Sequence, residues 1–189
     1  MMLKCVKALA LLVVLVAGGL LAYAYSGLYD VSATREDGIV SRWLLTTVRQ
    51  HSIHARLGGI QVPTNLSDPK MVEDGFSHYH EMCEGCHLAP GMDNSEIREG
   101  LNPQPPVLAK AVPHTTPAEL FWIIKNGVRM TGMPAWGTSH DDQAIWQMVA
   151  FLEQLPKMTP AEYQTLAKND KGDPDAHDPM PAPKQPGTH

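Results

Sequence analysis

Cysteine is scarce in this 189-residue chain: three residues are too few for a disulfide framework, so their role depends on where they sit. Aromatic residues are sparse as well, at 6%. Positive charge is in deficit, with 15 Lys and Arg against 20 Asp and Glu; the net −5 excludes the basic footprint of a nucleic-acid binder. No internal repeat marks a solenoid or propeller. Hydrophobic residues nonetheless reach 43% and charged residues 19%, a balance that permits a packed core and excludes a wholly disordered chain. The length suits one modest domain with appendages. Against these shortages stand 10 methionines and 9 histidines, residue types that ligate iron among other things.

The average hides four regions: 1–25, 26–66, 67–168 and 169–189. In the first, Lys4 and Lys7 precede an uncharged run from Ala8 to Tyr25, ALALLVVLVAGGLLAYAY. As a helix it extends about 27 Å at roughly 1.5 Å per residue, just short of the roughly 30 Å hydrocarbon core. The segment enters a membrane. Ala22 and Ala24 also form the small-x-small pattern that a signal peptidase accepts, so a retained signal-anchor and a cleaved signal peptide compete, with the length of the run favouring retention. Under either reading the two lysines stay in the cytoplasm and everything after Tyr25 is exported. The expected location is the periplasmic side of the inner membrane, N-terminally anchored or, after cleavage, soluble. Cys5 lies before the run, where it cannot serve as a lipoprotein acceptor.

In residues 26–66, Ile39, Val40, Trp43, Leu44 and Val48 recur at helical spacing, which predicts an amphipathic arm helix between Asp37 and Leu57. Arg35, Arg42, Arg49 and Arg56 are seven apart and share one stripe if that helix is continuous. A solvated face and contact with anionic headgroups are the two readings of the stripe. Gly58, Gly59 and Pro63 then break the pattern. The tail, 169–189, holds Pro174, Pro179, Pro181, Pro183 and Pro186 among Asp, Lys, Gly and His, a composition that predicts disorder. Its His177 and His189 read as decoration of a loose end.

The chemistry concentrates in Cys83-Glu84-Gly85-Cys86-His87, a C-x-x-C-H pentapeptide of the kind that attaches c-type haem. A thioredoxin-like pair requires a preceding strand, and a zinc site requires a second ligand pair that this chain does not supply at suitable spacing. What precedes the motif reads as a helix: Asp68 caps, Pro69 fits the first turn, and Gly75, Phe76, Tyr79 and Met82 follow. Thiols at i and i+3 on one turn project to the same side, where each can add to one vinyl group of a porphyrin. His87 then lies under the iron as proximal ligand.

A distal ligand is sought downstream. Thr116-Pro117-Ala118-Glu119 offers an N-cap, a first-turn proline and a capping-box glutamate for a helix that stops near Gly127. The loop beyond it contains Thr131-Gly132-Met133-Pro134. Pro134 keeps Met133 out of helical geometry, flanking glycines allow close backbone approach, and a thioether suits reduced iron. Met133 is therefore the candidate; Met130, His114 and His140 are its rivals, and ordinary core packing is the alternative role for any methionine. His78 and His80 sit on the proximal side.

On these residues the stretch from about Gly75 to Leu155 resembles a class I c-type cytochrome of the single-haem kind with a T-G-M-P distal loop. The resemblance implies an all-α fold, a few helices around one covalent haem c, with the first and last helices crossing. Gly75 and Tyr79 resemble the small residue and the aromatic of the first helix. A last helix from about Ser139 to Leu155, opened by Ser139 and Asp142, carries Ile145, Trp146, Val149 and Leu152 as its buried stripe. Pro106-Val107-Leu108 resembles the proline loop whose carbonyl accepts from the proximal histidine. Trp136 and Arg129 are candidates to flank the haem, Arg129 near a propionate, with a surface or packing role as the alternative for each. The long N-terminal arm and acidic tail depart from the family pattern.

Iron closed on both faces by His87 and Met133 has no open position for substrate, which implies one-electron transfer rather than enzymatic turnover. The expected partners are redox proteins, a donor dehydrogenase or quinol complex and a terminal acceptor, together with the membrane. Residues 60–168 hold 7 Lys and Arg against 13 Asp and Glu, so docking is expected to be apolar, around Met133 to Trp136, rather than basic. Two alternatives remain at this stage: a haem-based ligand-binding sensor, if Met133 leaves the iron open, and a cytochrome subunit of a larger membrane oxidoreductase. A two-haem peroxidase would need a second C-x-x-C-H.

Overall fold

The computed structural model describes residues 2–170 and 172, and among these there is no β-strand. The chain divides into two compact units at Arg35/Glu36. In the first, α1 (Met2–Tyr25) is 24 residues long, none of them buried by protein. It begins six residues before the uncharged run and is about 36 Å long, of which the uncharged part still spans about 27 Å; Lys4 and Lys7 lie on the added turns, where their long side chains can reach the interface. The hydroxyl of Ser26 donates to the Tyr23 carbonyl at 2.7 Å and ends it.

The second unit opens with α2 (Ile39–His54), entered from Gly38 and left at Ala55. Arg35 and Arg56 therefore fall outside the helix, and the four arginines form no continuous stripe. Arg42 pairs with Glu36 at 2.9 Å, and Arg56 donates to the Ser52 carbonyl at 2.7 Å. α2 meets the rest of its unit near its C-terminal end, where Ile53 is buried and His54 Nε2 lies 2.9 Å from Glu119 Oε1.

The haem-motif helix pair follows. α3 (Pro69–His78) is capped as the sequence predicts, the Asp68 carboxylate accepting from Lys70 N at 2.8 Å. A single wide π-turn, Tyr79–Cys83, passes the chain to the short α4 (Glu84–His87). Two further single-turn helices, α5 (Glu96–Glu99) and α6 (Leu108–Ala111), flank the proline-rich loop. α7 (Pro117–Asn126) begins with both arms of the Thr116/Glu119 capping box and stops at Gly127. Gly127 has φ +64°, and a Cβ there would sit 2.7 Å from the Pro134 carbonyl, so glycine is required.

α8 (Asp142–Gln154) carries the buried stripe Ile145, Trp146, Val149 and Leu152, widened by Met148, Ala150 and Phe151. Its cap differs from expectation: Asp141, not Ser139 or Asp142, accepts from Ala144 N, at 2.9 Å. Ser139 instead donates to the Trp136 carbonyl. α3 crosses α8 at Gly75, where a Cβ would lie 2.5 Å from the Gln147 carbonyl carbon and 3.0 Å from Phe151 Cβ. Only a residue without a side chain lets the helices come this close. Phe121 of α7 stacks on Trp146 at 4.2 Å between ring centroids.

One helix was not anticipated. α9 (Pro160–Asn169) opens with a second complete capping box, Thr159 with Glu162, and buries Tyr163 completely. Asp170 then accepts from the Ser77 hydroxyl at 2.6 Å, so the chain expected to be loose from 169 onwards is still tied to α3 at that point. The expectation of disorder for the proline-rich remainder, 171 and 173–189, lies outside the described residues, as do His177 and His189.

Candidate haem site

The core that positions the site is aromatic at one end: Phe76, Tyr79, Phe151 and Tyr163 make edge and tilted ring contacts at 5.1 to 6.5 Å. Against this cluster the C-x-x-C-H segment is fixed from several sides. The Tyr79 hydroxyl donates to the Leu88 carbonyl at 2.6 Å, immediately after the motif. Leu88 holds φ +64°, ψ 144°, a conformation that glycine usually occupies, and it stays there because its side chain is buried and its carbonyl is taken by Tyr79. The Ser95 hydroxyl caps α5 and donates to the Gly85 carbonyl at 2.5 Å. The Tyr163 hydroxyl donates to Glu84 Oε2 at 2.7 Å, and His80 Nδ1 lies 2.5 Å from the same oxygen.

Cys83 closes the π-turn and Cys86 sits in α4, so the two thiols are not on one regular α-turn. Both are free and half-buried. Burial, followed by the neighbouring Cys86, pushes the Cys83 thiol up to about 12. His87 Nδ1 is 2.8 Å from the Pro106 carbonyl, the contact expected of the proline loop. That carbonyl can only accept, so Nδ1 carries the proton and Nε2 presents its lone pair. Burial holds the imidazole below the usual histidine range despite the Pro106 bond, with Arg98 adding to the depression, so the ring is the neutral ligand form. Arg98 in turn donates to the Pro105 carbonyl at 3.2 Å and steadies that loop.

On the downstream side, the loop 128–133 closes on itself. Val128 N donates to the Met133 carbonyl at 3.2 Å, and the Thr131 hydroxyl donates to the Val128 carbonyl at 2.7 Å while accepting from Met133 N at 3.1 Å. Met133 is half-buried and packs against the core, as do Cys83, Leu108 and Trp136. Met130, its sequence rival, has φ +62° and is 74% exposed. His114 is exposed at the end of a 3-10 turn, and His140 packs edge-on to His78 and Trp136 at 5.3 and 5.6 Å. Arg129 is exposed.

The donor set fits a covalent haem: two unpaired thiols, a neutral imidazole with a bare Nε2, and half-buried apolar side chains that a flat apolar group would finish covering. Among the described residues no group of three or more His, Cys, Asp or Glu side chains gathers as an alternative metal site. Ser95, Arg98, Glu84 and Tyr163 were not singled out by the sequence. Tyr163 had a signal, since Thr159-Pro160-Ala161-Glu162 repeats the Thr116-Pro117-Ala118-Glu119 helix start; the others act through loop contacts that no local pattern announces.

Motif, helix crossing and proline loop are those of a cytochrome c domain, an all-helical type of domain that carries covalently bound haem c and serves electron transfer. Residues 70–152 match the family model described as Cytochrome C oxidase, cbb3-type, subunit III. The matched stretch includes α3 to most of α8 and leaves out α1, α2 and α9. No curated protein matches the chain.

Proposed function

We propose that this protein is a membrane-anchored one-electron carrier of the periplasmic face, with His87 and Met133 as the axial ligands of a single haem c attached through Cys83 and Cys86. The observation that carries the reading is the 2.8 Å bond from His87 Nδ1 to the Pro106 carbonyl, which fixes the tautomer and turn of the imidazole before any iron is bound. Bound haem c supplies one iron that accepts and releases a single electron. The chain's own part is to hold coordination constant: Pro106 orients His87, and the Thr131 hydroxyl, bonded at both ends of its loop, holds Met133 at the rim of the core. Methionine ligation raises the reduction potential, as a carrier between a donor dehydrogenase or quinol complex and a terminal acceptor needs. α1 fits a retained anchor by length and composition.

The test is Met133→Ala. The ferric protein is expected to change from low spin to a form that binds added imidazole or cyanide, with haem still attached after denaturation and proteolysis to the peptide holding Cys83 and Cys86. An unchanged ferric spectrum would remove Met133 from the iron. A wild-type protein that already binds carbon monoxide in the ferrous state would favour the sensor reading instead. The family description favours a second reading, in which the same domain is the cytochrome subunit of a larger oxidoreductase. It differs in partners, not in chemistry, and co-purification from mildly solubilised membranes separates the two.

A further inference from the structure

α2 has an apolar side that its own unit leaves uncovered. Ile39, Val40, Trp43, Leu44 and Val48 are 89%, 75%, 65%, 50% and 57% exposed, whereas burial in this helix is confined to Ile53. At about 100° per residue, Trp43, Val40, Leu44 and Val48 fall within an arc of roughly 140°, with Thr47 and His51 on the same arc and Arg42 and Arg49 opposite it. Exposure of this extent calls for a cover, and three facts indicate which. The helix contains no Asp or Glu, and its only formal charges, Arg42 and Arg49, lie on the side away from the apolar arc. A polar face bearing arginine with a Trp/Leu face opposite is the pattern of helices that lie in a lipid interface. Ile39 follows the end of α1 by thirteen intervening residues, about 45 Å when fully extended, and these too expose Leu28, Tyr29 and Val31.

We infer that α2 lies in the lipid–water interface of the membrane that α1 crosses, with Val40, Trp43, Leu44 and Val48 in the acyl boundary; this rests on the anchored reading of α1. The opposite end of the helix is held on the haem domain by buried Ile53 and by His54 against Glu119 of α7. An α2 bedded in lipid therefore sets the height and tilt of the haem domain above the bilayer. The arginines serve the water-facing side and not the headgroups directly beneath.

The experiment uses the full-length, haem-loaded chain carrying Cys5→Ser, with one nitroxide-labelled cysteine at a time at positions 40, 42, 44, 48 and 49, in vesicles of phosphatidylethanolamine and phosphatidylglycerol. Power saturation compares relaxation by dissolved oxygen with that by a water-soluble nickel chelate. Positions 40, 44 and 48 are expected to favour oxygen and positions 42 and 49 nickel, a reversal within one helical turn. If all five favour nickel while the intact mass shows α1 present, the face is not a lipid face and belongs to a protein partner, with the anchor reading untouched. An intact mass showing α1 removed would overturn the anchored reading, and this inference with it.

Discussion

Gly75→Ala isolates the helix crossing on which the haem segment rests. The added methyl carbon would sit 2.5 Å from the Gln147 carbonyl carbon and 3.0 Å from Phe151 Cβ, against an optimum near 3.5–4.0 Å for carbon atoms. Neither obstacle can rotate away, because one is backbone and the other is the first atom of a fully buried side chain. The helices must therefore part by about 1 Å, loosening contacts that also bury Ile145, Val149 and Leu152. Overpacking of this kind costs about 1–3 kcal/mol, at the upper end here, and the better helix propensity of alanine returns about 1 kcal/mol. The net loss is about 2 kcal/mol, which lowers Tm by roughly 8–16 °C in a domain of this size. The control is Gly85→Ala, whose methyl would meet nothing nearer than Ile97 Cδ1 at 3.5 Å. That variant is expected to hold or raise Tm. The assay is thermal unfolding of the haem-loaded proteins by far-ultraviolet circular dichroism, with haem content matched. A Gly75→Ala protein as stable as wild type would refute the claim that backbone contact, not propensity, decides this position.

Three further outcomes follow from individual contacts. Tyr163→Phe removes the donor to Glu84 while keeping the ring, and should cost about 1.5–3 kcal/mol in urea unfolding, most of which vanishes in the Glu84→Gln background. Glu119 is held below the usual carboxylate range: burial pushes it up, but the two bonds from Thr116 and the nearby His54 outweigh this. Its folded value lies below its unfolded one, so the stabilisation is present above the unfolded value near pH 4.3 and is lost as pH falls through the folded value. Glu119→Gln should accordingly flatten the fall in urea midpoint between about pH 5 and 3. Thr159→Ala should cost about 1 kcal/mol and speed amide exchange in α9 ahead of α7, since it removes only the α9 capping box.

Local chemistry made most of the fold legible. Asp68, Thr116 and Gly127 mark helix ends through single-residue rules, and the buried positions of α8 repeat at a helical period. The motif was legible because covalent attachment demands fixed spacing, and the role of Pro106 came with the resemblance. What escaped depends on how the loops run and where each helix is bounded. The cap of α8 was expected at Ser139 and lies at Asp141, because Ser139, Asp141 and Asp142 are all competent caps and only the loop's path selects among them. The arginine stripe failed because heptad spacing says nothing of where Gly38 and Ala55 bound the helix. Ser95 and Arg98 act on carbonyls 10 and 7 residues away, and side-chain-to-backbone bonds across loops leave no periodic trace.

The wide turn at Tyr79–Cys83 acts as a phase shift. A regular helix would carry the Phe76 face forward at a constant angle, whereas one extra residue in the turn rotates everything after it by about 100°. The aromatic face before the turn and the thiol-bearing face after it therefore obey different registers, although they belong to one continuous run of helix. Deleting any one of residues 79–82 would leave that run helical and its motif intact, yet turn the motif toward the wrong side. Anyone grafting this pentapeptide onto another scaffold must transplant the turn as well, because the direction its side chains face is set by the residues that lead into it.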